Sequence, residues 1–266
     1  MDRCRVNPQE RVKLANWDPE DTSGFSASKA DAGPHLEKLS RRLEQLQELL
    51  YAEHQHKLLV VLQSMDTGGK DGTIRHVFEG VNPQGVSVVR FQEPTKIELD
   101  HDYLWRVHPH MPGKGEMVIF NRSHYEDVLV VRVHNLVPAP VWRRRYEEIR
   151  EFERMLASEG TTILKFFLHI SKDEQKKRLQ ARLDDADKRW KFAYSDVRER
   201  AFWPKYQEAY EEAIEKTSTE WAPWFIVPAN HKWYRNLVVA TIITDTLAAL
   251  KMKYPRVKLP KNVVLK

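Results

Sequence analysis

The chain has 266 residues, with 43 lysines and arginines against 38 aspartates and glutamates, so its formal net charge is only +5. Such an excess favours an anionic partner only where basic residues cluster. The single cysteine, Cys4, excludes an intrachain disulfide and a cysteine-based zinc site. No apolar run approaches the roughly 20 residues that span a bilayer. The N-terminus lacks the apolar core of a signal peptide. We therefore expect a soluble cytoplasmic protein with no membrane partner.

The length fits one large domain, or one domain with an inserted lid. Residues 1–34 are polar and contain prolines and glycines, which predicts an N-terminal arm wrapping the domain. Residues 35–56 carry leucines at helical spacing, which predicts an amphipathic helix. These leucines either enter the core or form an oligomer seam; they are Leu36, Leu39, Leu43, Leu46 and Leu50.

An apolar run at 57–63 predicts a strand, and a glycine-rich turn and Lys70 follow it. A strand that turns through glycines into a helix makes a phosphate cradle, because its N–H groups converge and the helix dipole adds positive charge. Lys70 would add a full charge on a long stem. The alternative is an ordinary strand-to-helix turn in which Gly68 and Gly69 supply backbone freedom.

The turn departs from the usual P-loop pattern, G-x-x-x-x-G-K-[ST]. Ser64 stands in place of the first glycine, and Asp71 in place of the hydroxyl residue that would hold Mg²⁺. Asp66 lies inside the loop, where anionic phosphate should bind. An acid at that position is expected to bind a metal ion or to take part in transfer of a substrate proton.

Further apolar runs predict four more strands, at 86–91, 116–120, 162–170 and 224–228. Helical patterns lie between and after them, at 96–107, 124–133, 140–158 and 231–252. This alternation predicts an α/β fold whose five-stranded parallel sheet is flanked by helices. Ligands of such sheets bind beyond the carboxyl ends of the strands. The phosphate loop and the segment after the third strand, 121–127, should therefore face one crevice.

A helical lid is predicted at about 172–216. Ser171 and Glu174 match a capping box, S-x-x-E, so a helix should start at 172. A second helix is expected from about 196 to 216. The first helix and the turn after it are basic, and two polar helices joined by a turn are typical of a lid. The basic residues are Lys176, Lys177, Arg178, Arg182, Lys188 and Arg189.

Lys70 and Arg122 are the predicted phosphate clamps, because phosphoryl transfer depends mostly on positioning and charge stabilisation. A surface ion pair is the other interpretation of Arg122. Glu126 is either functional or the partner of Ser123 in a capping box. Asp127 could handle a metal or a proton, or complement a helix dipole.

Arg178 and Arg182 are four residues apart and share a helix face, which suits either an anion under the lid or a solvated surface. Trp190 and Phe192 could stack on a base or pack in a hinge. The histidines are scattered and no H-E-x-x-H motif is present, so we do not expect a histidine metal site.

Taken together, these residues resemble the polyphosphate kinase 2 family over about 35–255. The resemblance rests on four motifs: Asp66–Gly72, Leu104–Arg106, Phe120–Asp127, and the lid residues Arg178, Arg182, Trp190 and Lys191. It implies a P-loop kinase-like fold with a helical lid and a homo-oligomer (dimer or tetramer). The residues beyond it, 256–266, are predicted to form a basic tail. The resemblance also implies Mg²⁺, with Mn²⁺ as a substitute. The implied partners are inorganic polyphosphate and ADP, AMP or ATP.

The resemblance also implies roles for individual residues. Asp66 would position the metal and the acceptor phosphate, and Lys70 and Arg122 would hold the transferring phosphates, with Glu126 as a fourth catalytic residue. Asn121 and Glu126 stand where many members have aspartate and asparagine, as in the subclass that accepts both AMP and ADP. The implied phosphate- or nucleotide-binding residues are Thr67, Gly68, Gly69, Asp71, Gly72, Thr73, Asn121, Arg178, Arg182 and Lys191.

The expected function is reversible transfer of the terminal phosphoryl group of polyphosphate to ADP and AMP. The alternative is an ATP-dependent nucleoside or nucleotide kinase of the same fold. A third hypothesis is a module that binds nucleic acid through its basic lid. The acids Asp66 and Glu126 inside the predicted site oppose nucleic acid as a partner.

Overall fold

A six-stranded sheet forms the centre of the structure, a computed structural model that describes residues 2–25, 29–256 and 258. The strand order is β1-β6-β5-β2-β4-β3. The five strands expected from the sequence are present and parallel, which confirms the predicted α/β fold. They are β2 (Lys57–Gln63), β3 (Val86–Arg90), β4 (Met117–Asn121), β5 (Thr161–His169) and β6 (Trp224–Pro228).

The N-terminal arm supplies a sixth strand that sequence analysis missed. β1 (Arg5–Val6) pairs antiparallel with β6 at the edge of the sheet. The buried Ser218 hydroxyl donates to the carbonyl oxygen of Val6 at 2.6 Å and accepts from the Trp224 N–H at 3.1 Å. The first part of the arm is therefore hydrogen-bonded into the sheet. A strand of two residues is too short to show the alternating pattern from which strands are predicted.

Helices cover both faces of the sheet. The long ones are α1 (Lys29–Glu53), α2 (Lys70–Val77), α5 (Ala139–Ser158), α6 (Lys172–Asp184), α8 (Trp203–Thr217) and α9 (Lys232–Ala249). Three are short: α3 (Lys96–Leu99), α4 (Val130–Val133) and α7 (Tyr194–Glu199). Helix α1 packs against α9 and buries Leu43, Leu46 and Leu50. These three leucines belong to the core, which removes them from any oligomer seam.

The predicted helix at 96–107 is wrong beyond its first turn. Thr95 and Glu98 form a capping box that starts α3, but the helix ends at Leu99. The Asp102 side chain then accepts a hydrogen bond from the Leu104 N–H at 3.0 Å. Such local side-chain bonds compete with helix formation. Turns and a 3-10 segment at His108–His110 follow.

Two other predicted helices are interrupted. The one expected at 124–133 is a 3-10 turn at His124–Asp127 followed by α4. The second lid helix, expected at about 196–216, is divided into α7, a 3-10 turn at Arg200–Phe202, and α8. Pro204 explains why α8 begins as a new helix at Trp203, because proline fits the first turn of a helix and disrupts its interior.

Two further expectations concern the ends of the chain and the membrane. The predicted basic tail, 256–266, lies outside the described residues apart from Arg256 and Lys258. Within the described ranges, no helix combines the length and apolar character needed to cross a bilayer.

The account of β1 makes a stability prediction. Ser218→Ala should lower the free energy of unfolding by about 1–3 kcal/mol, because it leaves the buried Val6 carbonyl and Trp224 N–H without their partner. Ser158→Ala is the matched control, since the exposed Ser158 hydroxyl only donates to the carbonyl of Met155 within its own helix. Its effect should stay within about 0.5 kcal/mol. Urea unfolding of both variants measures the difference, and equal effects would contradict a structural role for β1.

Candidate active site

The phosphate loop and the segment after β4 meet at one edge of the sheet. Strands β2 and β4 are parallel neighbours, with Leu62 opposite Asn121, so both strands end at the same place. The Asn121 side-chain amide donates to Oδ1 of Asp71 at 2.6 Å. The Arg122 Nη2 lies 2.9 Å from Oδ1 of Asp66. The predicted crevice between segments fifty residues apart is confirmed.

The loop itself is held in a conformation that requires glycine. Gly69 is the N-cap of α2 and has a φ of 104°, in the left-handed region. A Cβ on Gly69 would overlap Nη1 of Arg235, and one on Gly68 would overlap the Ser64 side chain. The two glycines therefore allow the side chains of Arg235 and Ser64 to approach the loop backbone closely, in addition to forming the turn. Thr67 is also left-handed, with a φ of 62°, and as a β-branched residue it is strained there.

Lys70 begins α2 and turns its side chain back over the loop. Its Nζ donates to the Ser64 hydroxyl at 3.0 Å and lies 3.4 Å from the Ser64 carbonyl oxygen. Burial lowers the pKa of Lys70 to about 8, and the charge of Arg122 acts in the same direction. Asp66, Glu126 and Asp71 oppose that shift without cancelling it. A neighbouring anion strongly stabilises the charged form of an ammonium group that is this poorly solvated.

Arg122 is fixed by its backbone and by two acids. Its φ is 64°, an uncommon value for a residue other than glycine, and its N–H donates to the Leu62 carbonyl at 3.1 Å. Burial alone would lower the pKa of Arg122, but the charges of Glu126 and Asp66 outweigh it and raise the pKa. Arg122 therefore forms an ion pair within the crevice, with 42% of its side chain still exposed.

The predicted capping box between Ser123 and Glu126 is not formed. The Ser123 hydroxyl accepts from the N–H of Tyr125 at 3.2 Å, and the Glu126 N–H donates to the backbone carbonyl of Ser123. Glu126 therefore has no capping role. Its charge instead raises the pKa values of Lys70 and Arg122, which places its carboxylate in the electrostatic environment of the site.

Asp127 is paired with an arginine of α5. Its Oδ1 accepts from Nη1 of Arg145 on α5 at 3.1 Å, and the same nitrogen donates to the Asp127 carbonyl at 3.0 Å. Burial raises the pKa of Asp127 to about 6, although Arg145 and Arg106 act against that shift. These contacts favour a structural role over the metal or proton chemistry considered from the sequence.

Arg178 connects the lid to the phosphate loop. Its Nη1 donates to the carbonyls of Thr67 and Gly68 at 3.0 and 3.2 Å, and its Nε donates to Glu174 at 2.7 Å. Its Nη2 donates to two carbonyls just after β6, those of Ala229 and Asn230. All of its N–H donors thus have protein partners here, so a phosphate contact by Arg178 stays a prediction.

Arg182 has different partners, although it shares a helix face with Arg178. Its Nη1 donates to the carbonyl of Lys191 at 3.1 Å and to Asp196 at 3.3 Å. Asp196 lies close enough to Asp66 for that charge to raise its pKa, although burial is the larger cause. Lys191 lies over the ring of Trp190, whose side chain is largely exposed. Phosphate contacts by Arg182 and Lys191 likewise stay predictions.

Sequence analysis missed a basic cluster beside the loop, formed by Arg178, Lys232 and Arg235. Arg235 lies on α9, is only 2% exposed, and packs against Gly69 and Gly72. Its Nε and Nη2 donate to Asn236, and within the described residues no carboxylate forms an ion pair with it. Burial, followed by the charge of Arg178, lowers the pKa of Arg235 to about 10.

Lys232 lies three residues before Arg235 on α9 and, unlike Arg235, is exposed. Burial lowers its pKa, and Arg178 and Arg235 lower it further. One sequence signal could have found this cluster: Lys232 and Arg235 are basic residues three apart at the start of an otherwise apolar helix. Nothing in that pattern, however, indicates contact with the phosphate loop, which lies far earlier in the chain.

The site offers carboxylates for a metal without forming a closed metal cage. No group of three or more histidine, cysteine, aspartate or glutamate side chains within the described ranges could enclose an ion. Mg²⁺ is commonly held by one or two carboxylates together with substrate phosphates. Asp66 fits that arrangement, because only Oδ1 is engaged by Arg122.

A glycine-rich loop after a parallel strand, with a lysine and an arginine facing each other under a helical lid, defines a P-loop kinase-like enzyme. The family model described as polyphosphate kinase 2 matches residues 26–255, and this chain belongs to that family. The resemblance found in the sequence is therefore confirmed.

Individual relatives match over nearly their whole length. The AMP/ADP-polyphosphate phosphotransferase of Meiothermus ruber is 64% identical over 256 residues, which is 96% of each chain. The ADP-polyphosphate phosphotransferase of Rhodopseudomonas palustris is 45% identical, over 94% of this chain and 91% of that one. The crystal structure of polyphosphate kinase 2 from Arthrobacter aurescens superimposes with a TM-score of 0.94 at 46% identity, covering 97% and 92% of the two chains.

The lowered pKa of Lys70 makes a prediction about pH. Lys70 is charged below pH 8 in the free enzyme and loses its charge as the pH rises through about 8. Because kcat/KM reports the free enzyme, kcat/KM should fall above that pH. Bound phosphates favour the charged form, so kcat should fall only at higher pH. Initial rates with polyphosphate and ADP between pH 7 and roughly 9.5 measure both profiles; a kcat/KM that stays level across this range would contradict the assignment.

Proposed function

We propose that this enzyme transfers the terminal phosphoryl group of inorganic polyphosphate reversibly to ADP and to AMP. The observation that carries the proposal is the crevice in which Lys70 and Arg122 face Asp66, next to a basic cluster in which Glu174 balances one of three positive charges. The names of the relatives in Meiothermus ruber and Rhodopseudomonas palustris support the same reaction.

The basic cluster suits the polyphosphate donor. Burial lowers the pKa of Lys232 and of Arg235, and the charge of Arg178 lowers both further. Arg235 also lies against Gly69 at the N-terminus of α2, whose dipole adds positive charge. Like charges in a partly desolvated place are unfavourable unless an anion joins them. A polyanion bound along this side would offset the positive charge that Glu174 leaves unbalanced, with its last phosphate close to Lys70.

The opposite side of Lys70 suits the nucleotide acceptor. There Arg122 is flanked by Asp66 and Glu126, and the lid contributes Asp196. These acids reduce the net positive charge, so a long polyanion is less favoured there than at the basic cluster. Glu126 and Asn121 are also the residues that the family resemblance connects with acceptance of AMP as well as ADP.

The reaction needs no nucleophile from the protein. A terminal phosphate oxygen of the nucleotide attacks the last phosphorus of the chain, a new P–O bond forms, and the bond to the shortened polyphosphate breaks. Lys70 and Arg122 stabilise the charge on the transferring group. Asp66 holds Arg122 in place through their 2.9 Å ion pair.

We assign Mg²⁺, or Mn²⁺ in its place, to the carboxylate of Asp66 together with the phosphates of the two substrates. When bound, the ion would offset the charge repulsion between two anions. The free oxygen of Asp66 and the lack of a closed cage among the described residues are compatible with an ion that arrives with its substrates.

We further propose a cytoplasmic homo-oligomer, a dimer or tetramer, with no nucleic-acid or membrane partner. Any interface must lie away from Leu43, Leu46 and Leu50, because the core of the monomer already buries them.

The first test of this function is ATP formation from ADP and long-chain polyphosphate with Mg²⁺, repeated with AMP in place of ADP. We expect product from both acceptors. An enzyme that works only with ATP as donor would establish the alternative, an ATP-dependent nucleoside or nucleotide kinase. Salt-sensitive nucleic-acid binding without turnover would support a binding module.

The clamp role of Lys70 gives the variant for the same assay. Lys70→Ala should lose at least about 2.7 kcal/mol of transition-state stabilisation, roughly a hundredfold in kcat, by analogy with the loss of one charge-stabilising donor. Lys38→Ala is the control, because Lys38 is exposed on α1. Near-wild-type turnover of Lys70→Ala would remove Lys70 from the mechanism.

A further inference from the structure

A charged cluster is completely buried between β5 and α5 and has no part in the chemistry described above. Lys165 on β5 and Glu153 on α5 are both 0% exposed, and their Nζ and Oε2 lie 2.6 Å apart. The three donors of Lys165 are used fully, by Glu153, the Tyr125 hydroxyl at 2.8 Å and the Thr217 carbonyl at 2.8 Å. We call Tyr125, Glu153, Lys165 and Thr217 the buried cluster.

Stability alone is a weak explanation for such a cluster. Taking two charges out of water costs several kcal/mol for each ion, and well-packed apolar residues of similar volume are often equally or more stabilising. Fully satisfied polar networks, in contrast, fix one arrangement of the groups that they join. The question is therefore which parts of the molecule this cluster fixes.

One part is the segment that carries Arg122 and Glu126. The Tyr125 hydroxyl donates to Oε1 of Glu153 at 2.8 Å, and His124 lies 3.3 Å from the same oxygen. Tyr125 is thus anchored one residue before Glu126 and three after Arg122. The left-handed backbone of Arg122 is strained, and such strain persists only where the surrounding structure holds it.

The other part is α8, the helix by which the chain returns from the lid. Thr217 is its last residue, and its hydroxyl lies 3.0 Å from that of Tyr125. The same helix carries Tyr210, whose hydroxyl donates to the Ser64 carbonyl at 3.0 Å, the carbonyl that Lys70 approaches at 3.4 Å. The buried cluster therefore joins the Arg122 segment to a helix that contacts the phosphate loop.

We propose that Tyr125, Glu153 and Lys165 are positioning residues for phosphoryl transfer, which keep Arg122 and Glu126 in register with Lys70. They touch no substrate and act through the 122–127 segment. This inference rests on the proposed function in one respect only: that Arg122 acts on the transferring phosphate.

The sharpest variant is Tyr125→Phe, which removes one oxygen atom and leaves the Lys165–Glu153 pair in place. Small misplacements of catalytic groups cost up to about a hundredfold in rate, and lost positioning lowers kcat and kcat/KM together. We therefore expect kcat to fall by at least about tenfold, with KM for ADP and for polyphosphate within roughly twofold of wild type.

Tyr146→Phe is the matched control. Tyr146 is 5% exposed on α5, and its hydroxyl accepts one hydrogen bond, from Arg132 at 3.3 Å. It is thus a buried tyrosine whose hydrogen bond lies outside the buried cluster. If the Tyr125 hydroxyl serves stability alone, both variants will lose melting temperature and keep kcat, and the proposal will be overturned.

A second variant separates charge from packing. The double variant Glu153→Met, Lys165→Met replaces the buried ions by apolar side chains, a change that is often neutral or favourable for stability. We expect a melting temperature equal to or above that of wild type together with a reduced kcat. An unchanged kcat would contradict the positioning role.

A third readout does not depend on turnover. The side-chain Nε–H NMR signal of Arg122, assigned with Arg122→Lys, should broaden or shift in Tyr125→Phe and remain unchanged in Tyr146→Phe. If wild-type enzyme fails to transfer phosphate from polyphosphate, the proposed function fails, and this signal still decides the positioning role. An Arg122 signal identical in wild type and Tyr125→Phe would refute it.

Discussion

The register between β2 and β4 is the constraint on which the rest of the site depends. Because Leu62 lies opposite Asn121, the loop after one strand and the segment after the other begin side by side. That register brings Asp66 within 2.9 Å of Arg122 and Asp71 within 2.6 Å of Asn121. A shift of one residue would turn every side chain of β4 to the opposite face of the sheet and dismantle both contacts.

The electrostatics of the crevice follow from this arrangement. Burial lowers the pKa of Lys70, and the acids around it, Asp66, Glu126 and Asp71, act against that shift. A basic group lies beside the same loop, because Arg235 packs against Gly69 and Gly72 and the charge of Arg178 acts on both Arg235 and Lys232. A transferase that must bring two anions together needs this kind of asymmetry, because the longer polyanion then has one preferred place to bind.

Much of this could be predicted from the sequence, where the signal is local. Apolar runs located the five parallel strands, and the position of Lys70 and Arg122 just after strand ends indicated a shared crevice. Local signals also misled: Ser123 and Glu126 match a capping box, but the Ser123 hydroxyl bonds to Tyr125. The α8 helix starts at Trp203, later than the predicted start at about 196, because Pro204 occupies its first turn.

What could not be predicted depends on contacts between distant parts of the chain. Helical spacing places Arg178 and Arg182 on one face, but it does not show that loop carbonyls lie opposite Arg178 while the rest of the lid lies opposite Arg182. From the sequence, Arg235 is only a charged residue near the start of a helix. Its contact with Gly69 becomes visible only in the folded structure.

The central claim is that polyphosphate and nucleotide bind on opposite sides of Lys70, and KM values for the two substrates in Arg235→Met test it most directly. The account predicts a KM for polyphosphate raised by about tenfold, roughly 1.4 kcal/mol, and a KM for ADP close to wild type, with Arg235→Lys intermediate. Arg41→Met, an exposed arginine on α1, should change neither value. A rise in the KM for ADP alone, or equal values for both substrates in wild type and Arg235→Met, would contradict the claim.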